Sequence, residues 1–204
     1  AAAQAYVQQA PVVHADETGW REGRQRAWLW VAVTTRVAVF LIHRRRGAVA
    51  ARVLLGASAA VLVSDRWSAY RRWPVARRQL CWAHLRREFV AFTERGGAAA
   101  RLGHALLRDT KRMFTGWHRV RDGTWTRGQF KTAMRPLQRR VERRLRRGAG
   151  CGHAKTAATC RDLLALAPAL WTFVDVPDVD PTNNAAERAL RPAVLWRKGC
   201  WGTH

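Results

Sequence analysis

Three acidic residues occupy positions that suit metal-dependent chemistry. Asp16 and Asp65 follow apolar, strand-like runs, and Glu187 lies where the sequence predicts a late helix. Carboxylate oxygen is the ligand that Mg²⁺ prefers, and two such ions can hold the attacking and leaving oxygens of an in-line displacement at phosphorus. In a chain with only 14 Asp and Glu, this trio predicts a two-metal phosphodiester site.

The two aspartates also have structural interpretations. Each could cap the turn after its strand, and Asp65 could pair with Arg66. Glu17 competes with Asp16 as a candidate, but side chains alternate along a strand, so these two should point to opposite faces. We therefore favour Asp16 over Glu17.

Glu187 likewise has two structural alternatives. With Asn184 it has the spacing of a capping box, and with Arg191 that of an i,i+4 ion pair. Two adjacent amides, Asn183 and Asn184, precede it and could bind a phosphate oxygen or a coordinated water. Those amides favour a functional interpretation of Glu187.

The overall charge points to a polyanionic partner. The 204 residues carry 37 Lys and Arg against 14 Asp and Glu, a formal net charge of +23. Counterion release would favour nucleic acid, which we prefer to an anionic membrane surface. No apolar run reaches the roughly 20 residues that span a bilayer, and no signal segment opens the chain.

The four cysteines are too irregularly spaced for a disulfide scaffold, so we expect reduced thiols and a cytoplasmic location. Cys81 and His84 have the spacing of half a zinc site, and Cys151 and His153 that of a second half. Because no paired C-x-x-C exists, structural zinc is the less favoured interpretation. The chain has no initiator Met and stops at His204, which predicts a piece of a longer protein.

The first 97 residues alternate between strand-like and helical patterns. A helix tail is predicted for residues 1–11. The later elements are predicted as strands at 12–15, 28–34, 37–42, 60–63 and 78–82, with helices at 48–55 and 83–93. If the first and fourth strands are parallel neighbours, Asp16 and Asp65 should emerge side by side at one edge of the sheet.

Residues 98–174 have helical patterns without strand signals, and we interpret them as an insertion. Helices are predicted at 98–120, 128–147 and 155–173, with Pro136 and Pro168 expected to kink or divide two of them. The second helix carries many arginines on an amphipathic pattern, and a solvated face and a phosphate-contacting face are equally compatible with it. Its densest run comprises Arg139, Arg140, Arg143, Arg144, Arg146 and Arg147.

Four motifs in this order resemble those of a bacterial transposase of the insertion sequence 66 family. They are Asp-Glu-Thr-Gly-Trp at 16–20, Ser-Asp-Arg-Trp-Ser-Ala-Tyr at 64–70, Cys-Trp-Ala-His-Leu-Arg-Arg-Glu-Phe at 81–89, and Pro-Thr-Asn-Asn-Ala-Ala-Glu-Arg-Ala-Leu-Arg-Pro at 181–192. The resemblance extends from Val12 to Thr203. It implies an α/β, ribonuclease-H-like mixed sheet flanked by helices, with a large all-α insertion before the last catalytic helix.

The resemblance divides the chain into three segments. Residues 1–97 would form the first part of the ribonuclease-H-like core, residues 98–174 the helical insertion, and residues 175–204 the catalytic Glu helix and a truncated C-terminal end. Asp16, Asp65 and Glu187 match an Asp-Asp-Glu triad that binds two Mg²⁺ or Mn²⁺ ions. The implied activity is metal-dependent DNA cleavage and strand transfer during transposition.

The implied partners are transposon ends and target DNA, with a homo-oligomer in the synaptic complex and neither a membrane nor a small-molecule substrate. Candidate DNA contacts are Arg66, His84, Asn183, Asn184, Arg188, Arg191 and Lys198. Two alternatives stay open. One is a nuclease of the same fold that cuts without joining, and the other is a non-catalytic DNA-binding remnant of a transposase.

Overall fold

The computed structural model describes residues 2–199, which form a mixed α/β fold. Within this range there are five strands in one mixed sheet, in the order β3-β2-β1-β4-β5, and eight α-helices. The strands are β1 (Val12–Glu22), β2 (Gln25–Val33), β3 (Ala38–His43), β4 (Val61–Ser64) and β5 (Arg78–Leu80). The helices are α1 (Ala2–Gln9), α2 (Ala48–Leu55), α3 (Trp82–Thr93), α4 (Gly97–Arg121), α5 (Arg127–Ala149), α6 (Ala154–Ala165), α7 (Thr172–Asp175) and α8 (Asn184–Gly199).

The chain divides into two compact units. The sheet unit contains the residues up to 81 and those from 178 onward, and the helical unit contains residues 82–177. All five strands belong to the first unit, together with α1, α2 and α8, whereas α3 to α7 form the second. The three-segment division at 97/98 and 174/175 stays a prediction, as does the ribonuclease-H-like character of the sheet.

The first strand is longer than predicted. β1 pairs antiparallel with β2 from His14 opposite Val33 to Glu22 opposite Gln25, and Gly23, with a φ of +55°, opens the tight turn between them. We predicted a strand that ends at Asp16, which is wrong, because pairing with β2 carries the strand six residues further. Asp16 therefore lies within a strand rather than at its end.

One face of the sheet packs against α1 and α2. The buried side chains of this layer include Val7, Val13, Ala15, Trp30 and Leu54. Burial of each of the larger side chains, such as Val13 and Leu54, stabilises the fold by about 1.5–3 kcal/mol. This core holds the central strands in place.

The opposite face of the sheet packs against α8. Leu29 and Val31 of β2 form a second, smaller core with Ala186 and Leu190 of the helix. Asp16 is the cross-strand partner of Val31 and therefore lies on this face. Because side chains alternate along β1, the side chain of Asp16 points to the face covered by α8, the helix that carries Glu187.

The helical unit has its own core and its own buried charge. Trp117 and Phe173 pack edge to face with ring centroids 5.5 Å apart. Beside this core, the buried carboxylate of Asp109 on α4 pairs with two arginines of α5: Arg144 Nε is 2.7 Å from Oδ2 and Arg140 Nε is 3.6 Å from Oδ1. These two ion pairs connect α4 to α5.

The two prolines of this unit have different effects. Pro168 falls in a 3-10 turn at Ala167–Leu170 that divides the predicted helix 155–173 into α6 and α7. Pro136 lies inside α5, which continues past it on an exposed side where solvent can bond the freed carbonyl. No helix within residues 2–199 is both long and apolar enough to cross a membrane.

Replacing Asp109 by Asn should destabilise the helical unit, because it leaves two guanidinium groups facing a neutral side chain. We expect the free energy of unfolding to fall by about 2–4 kcal/mol, measured by urea titration. The control is Glu142→Gln, which removes an exposed ion pair with Arg146 and should cost less than about 0.5 kcal/mol. Equal losses in the two variants would contradict a structural role for the buried pair.

Candidate active site

Two of the three predicted carboxylates lie on neighbouring parallel strands. β1 and β4 pair in parallel with His14 opposite Val63, and two residues further along each strand are Asp16 and Asp65. Asp65 directly follows the last residue of β4. The predicted pairing of these two strands is therefore confirmed, and it places the two aspartates at the same level of the sheet.

The third carboxylate arrives on α8, whose start is tied to β1. Asn183 immediately precedes the helix and is completely buried. Its side-chain amide donates to the backbone carbonyl of Ala15 at 2.9 Å, and its Oδ1 lies 3.3 Å from Nδ1 of His14. These bonds hold the first turn of α8 beside Asp16, so that Glu187, one turn further on, faces the two aspartates.

The carboxylates act on one another electrostatically. The pKa of Asp16 is raised from 3.8 to about 7, chiefly by burial and further by the negative charges of Glu17, Asp65 and Glu187. One backbone hydrogen bond opposes this shift, because the amide of Glu17 donates to Asp16 Oδ1 at 2.9 Å. Asp16, Asp65 and Glu187 are thus near enough to act on one another electrostatically, but their carboxylate oxygens do not all lie within 4.8 Å of one another.

The donor set fits a hard divalent cation. Within residues 2–199 Asp16 forms no ion pair with Lys or Arg, although the chain contains 37 of these residues. A bound cation would supply the positive charge that the surrounding side chains do not, and three carboxylates offer the oxygen ligands that Mg²⁺ prefers. Asp16, Asp65 and Glu187 therefore offer the kind of ligand that Mg²⁺ or Mn²⁺ takes, and their side chains would have to converge further to share an ion.

Glu17 has a different role from its neighbour, on the other face of β1. It is buried opposite Trp30 and accepts a hydrogen bond from the Tyr70 hydroxyl at 2.8 Å. Arg46 Nε donates to its other oxygen at 2.9 Å. Burial nevertheless raises the pKa of Glu17, and the charge of Asp65 raises it further, while Tyr70 and Arg46 lower it.

Two tryptophans hold the arginine of this network. The guanidinium carbon of Arg46 lies 4.7 Å from the ring centroid of Trp28 and 4.0 Å from that of Trp67. Trp67 in turn donates its backbone amide to Asp65 Oδ1 at 2.8 Å. Glu17, Arg46 and Tyr70 therefore form a network that Trp67 connects to Asp65. The sequence drew attention to Glu17 but not to Arg46, which falls in a run of three arginines that resembles a break between elements.

Cys81 and His14 complete the surroundings of Asn183. The backbone amide of Asn183 donates to Cys81 Sγ at 3.1 Å, and Cys81 Sγ lies within 4.8 Å of a carboxylate oxygen of Glu187. Burial lowers the pKa of His14, which favours the neutral imidazole. In the other predicted half-site for zinc, His153 caps α6 and accepts a hydrogen bond from the backbone amide of Thr156. Zinc binding, the less favoured interpretation of these two pairs, is not tested by the structure.

The candidate DNA contacts fall in different surroundings. Four lie exposed on α8, namely Asn184, Arg188, Arg191 and Lys198. Arg66 follows Asp65 and is half-buried, and His84 lies in the first turn of α3, in the helical unit. Asn183 is buried and its amide is bonded to protein groups, so a contact with DNA would require those bonds to exchange. Their roles in DNA binding stay predictions.

The raised pKa of Asp16 predicts a pH-dependent gain in stability for Asp16→Asn. A carboxyl with a raised pKa stabilises the fold while protonated, and that contribution is lost as the pH rises from about 4 through about 7. In metal-free buffer at about pH 8 the variant should therefore exceed the wild type by up to about 4 kcal/mol in urea unfolding. Below about pH 4 the two should converge. Glu22→Gln, an exposed change on the same strand, is the control, and a pH-independent difference for Asp16→Asn would contradict the assignment.

Asn183→Ala should loosen the start of α8. The substitution removes the bonds to Ala15 and His14 and leaves a buried carbonyl without its donor, which costs about 1–3 kcal/mol. Amide hydrogen exchange in the first turns of α8 should accelerate, while exchange in β2 changes less. Asn184→Ala, at the exposed neighbouring amide, should leave the exchange rates in α8 and in β2 unchanged. Identical exchange rates in the two variants would show that Asn183 does not hold the helix.

Comparison with known proteins agrees with the family that the motifs resemble. The model of one protein family, described as Transposase IS66 family, matches residues 1–204. No curated protein and no solved structure matches the chain. Because the match covers the whole sequence, the chain belongs to the IS66 family of transposases.

Proposed function

We propose that this chain is the catalytic core of an Asp-Asp-Glu transposase that cleaves DNA strands and joins them to target DNA. The observation that carries the proposal is the placement of Asp16 and Asp65 at the same level of two neighbouring parallel strands, with Glu187 on the helix that packs against this face and near enough to raise the pKa of Asp16. Family membership supports DNA as the substrate. The strand order β3-β2-β1-β4-β5, with both aspartates on neighbouring central strands, supports a ribonuclease-H-like core.

Asp16, Asp65 and Glu187 would hold the divalent cations. When bound, the cations would polarise the scissile phosphate and lower the pKa of the attacking hydroxyl or water. The three side chains supply oxygen ligands, and their mutual repulsion when ionised is relieved by the added positive charge. Cation binding should therefore be strong above the pKa of Asp16 and weak below it.

The reaction would comprise two displacements at phosphorus. In the first, water attacks the phosphodiester at the transposon end, and the bond to the 3′ oxygen breaks to leave a free 3′-hydroxyl. In the second, this hydroxyl attacks a target phosphodiester and displaces the 3′ oxygen there. Neither step needs a covalent bond to the protein, so the chain contributes no nucleophile.

The surrounding residues would position the ligands. Tyr70 and Arg46 fix Glu17, whose backbone amide donates to Asp16, and the Trp67 amide fixes Asp65. Asn183 fixes the approach of Glu187. Exposed Arg188 and Arg191 on the same helix are suitably charged to hold DNA phosphates near the carboxylates.

A joining assay tests the proposal. The chain is incubated with a labelled duplex that ends in a free 3′-hydroxyl, a supercoiled plasmid as target, and Mg²⁺ or Mn²⁺. We expect joined products that fall by at least about 100-fold in Asp65→Asn and in Glu187→Gln, because each change removes a ligand charge. Glu22→Gln, an acid outside the cluster, should retain wild-type activity.

Three outcomes separate the candidates. Cleavage without joining would indicate a nuclease, and undiminished products in Asp65→Asn would contradict the assigned ligands. A thermal melt gives a readout that is independent of DNA: at about pH 8, Mg²⁺ should raise the melting temperature of the wild type but not that of Asp65→Asn. DNA binding without this Mg²⁺ effect would indicate a non-catalytic remnant.

A further inference from the structure

A row of four arginines runs along the outer side of α5. Arg135, Arg139, Arg143 and Arg147 are spaced four residues apart, and all four are exposed. Residues at this spacing form a continuous ridge inclined by about 26° to the helix axis. We call these four side chains the arginine ridge.

The ridge lies opposite the buried side of its helix. The core-facing residues of α5 are Phe130, Met134, Leu137, Val141, Leu145 and Gly148. At about 100° per residue, the centre of the ridge falls roughly 180° from the centre of that buried stripe. The ridge is therefore directed away from the core, and its ends are separated by about 18 Å along the axis, since each residue adds about 1.5 Å.

The other arginines of α5 are already occupied. Arg140 and Arg144, which lie at the side of the helix, pair with buried Asp109, and Arg146 pairs with Glu142. By contrast, no ion pair joins any ridge arginine to an acid among residues 2–199. The helix thus separates arginines that stabilise the fold from arginines that remain available to a partner.

The charge of the helical unit makes that partner anionic. In residues 82–177, Lys and Arg outnumber Asp and Glu by 20 to 7. Phosphates along one DNA strand recur about every 3.4 Å of helix axis, so the ridge matches the length of roughly five of them. Arginine binds phosphate through a planar fork of donors, and such contacts position the backbone without reading sequence.

An anionic membrane fits this helix poorly. A helix that lies on a bilayer buries an apolar face among the lipids. The apolar face of α5 is instead buried inside the helical unit, beneath α4 and α6. The arginine ridge therefore offers charge to a partner without an apolar surface to insert.

We propose that the arginine ridge of α5 binds the sugar–phosphate backbone of duplex DNA irrespective of sequence. This inference rests on the proposed function for the nature of its partner, but the surface itself is separate from the carboxylate cluster and belongs to the other unit. It assigns the helical unit a share of the DNA-binding free energy.

The test compares two full-length variants with the same loss of charge. One carries Arg135→Gln, Arg139→Gln, Arg143→Gln and Arg147→Gln. The control carries Gln at four exposed arginines of the sheet unit, which are Arg21, Arg24, Arg26 and Arg36. Affinity for a 30-base-pair duplex of arbitrary sequence is measured by fluorescence anisotropy over a range of KCl concentrations, with circular dichroism to check folding.

We expect the ridge variant to bind the duplex at least about 10-fold more weakly than the control at 100 mM KCl. Each lost phosphate contact should reduce the slope of log K against log[KCl] by about 0.9, so the full ridge should reduce it by about 2–4. The loss should be the same for duplexes of different sequence. The slope of the control should change by less than about 1.

Three results would overturn the inference. They are equal losses in the two variants, an unchanged slope in the ridge variant, or loss of binding to phosphatidylserine vesicles without loss of binding to DNA. Failure of this inference is distinguishable from failure of the proposed function. If the arginine ridge does not bind DNA, the effects of Asp65→Asn on joining and on the Mg²⁺-dependent melting temperature are still expected. Only the assignment of the DNA surface would then be lost.

Discussion

The partial burial of the Asp16 carboxyl on a central strand is the constraint on which this structure depends. Asp16 is half-buried on the sheet face that packs against α8, near two further carboxylates, and it forms no ion pair with an arginine or lysine of residues 2–199. Its position is fixed on both sides, since β1 pairs with β2 and with β4. The packing of the two sheet faces offsets the electrostatic cost, and a cation would remove it.

Asp109 shows that an acid withdrawn from solvent in this chain can have arginine partners. Both acids are withdrawn from solvent, Asp109 fully and Asp16 in part, but Asp109 is paired with Arg140 and Arg144, whereas Asp16 receives only a backbone hydrogen bond. Glu17, one residue from Asp16, is likewise compensated by Arg46 and Tyr70. Arginine thus accompanies the acids that support the fold, whereas Asp16, which we assign to a metal, forms no ion pair among residues 2–199.

The approach of the two aspartates could be predicted from sequence because each follows a run of apolar, β-prone residues. The extension of β1 could not be predicted, since residues 17–22 contain a glycine and mostly polar side chains, and their pairing depends on β2 rather than on local preference. Asn183 illustrates another limit. Its motif suggested a contact with DNA, and only the fold reveals that its amide bonds Ala15. Sequence can identify a polar group but not the partner that satisfies it.

The central claim can be measured directly by following the side-chain carboxyl carbon of Asp16 by NMR during a pH titration of the metal-free protein. The account predicts a pKa of about 7 that falls when either Asp65 or Glu187 is neutralised by amide substitution. A normal pKa near 4, or a raised one that neither substitution moves, would contradict a coupled carboxylate cluster.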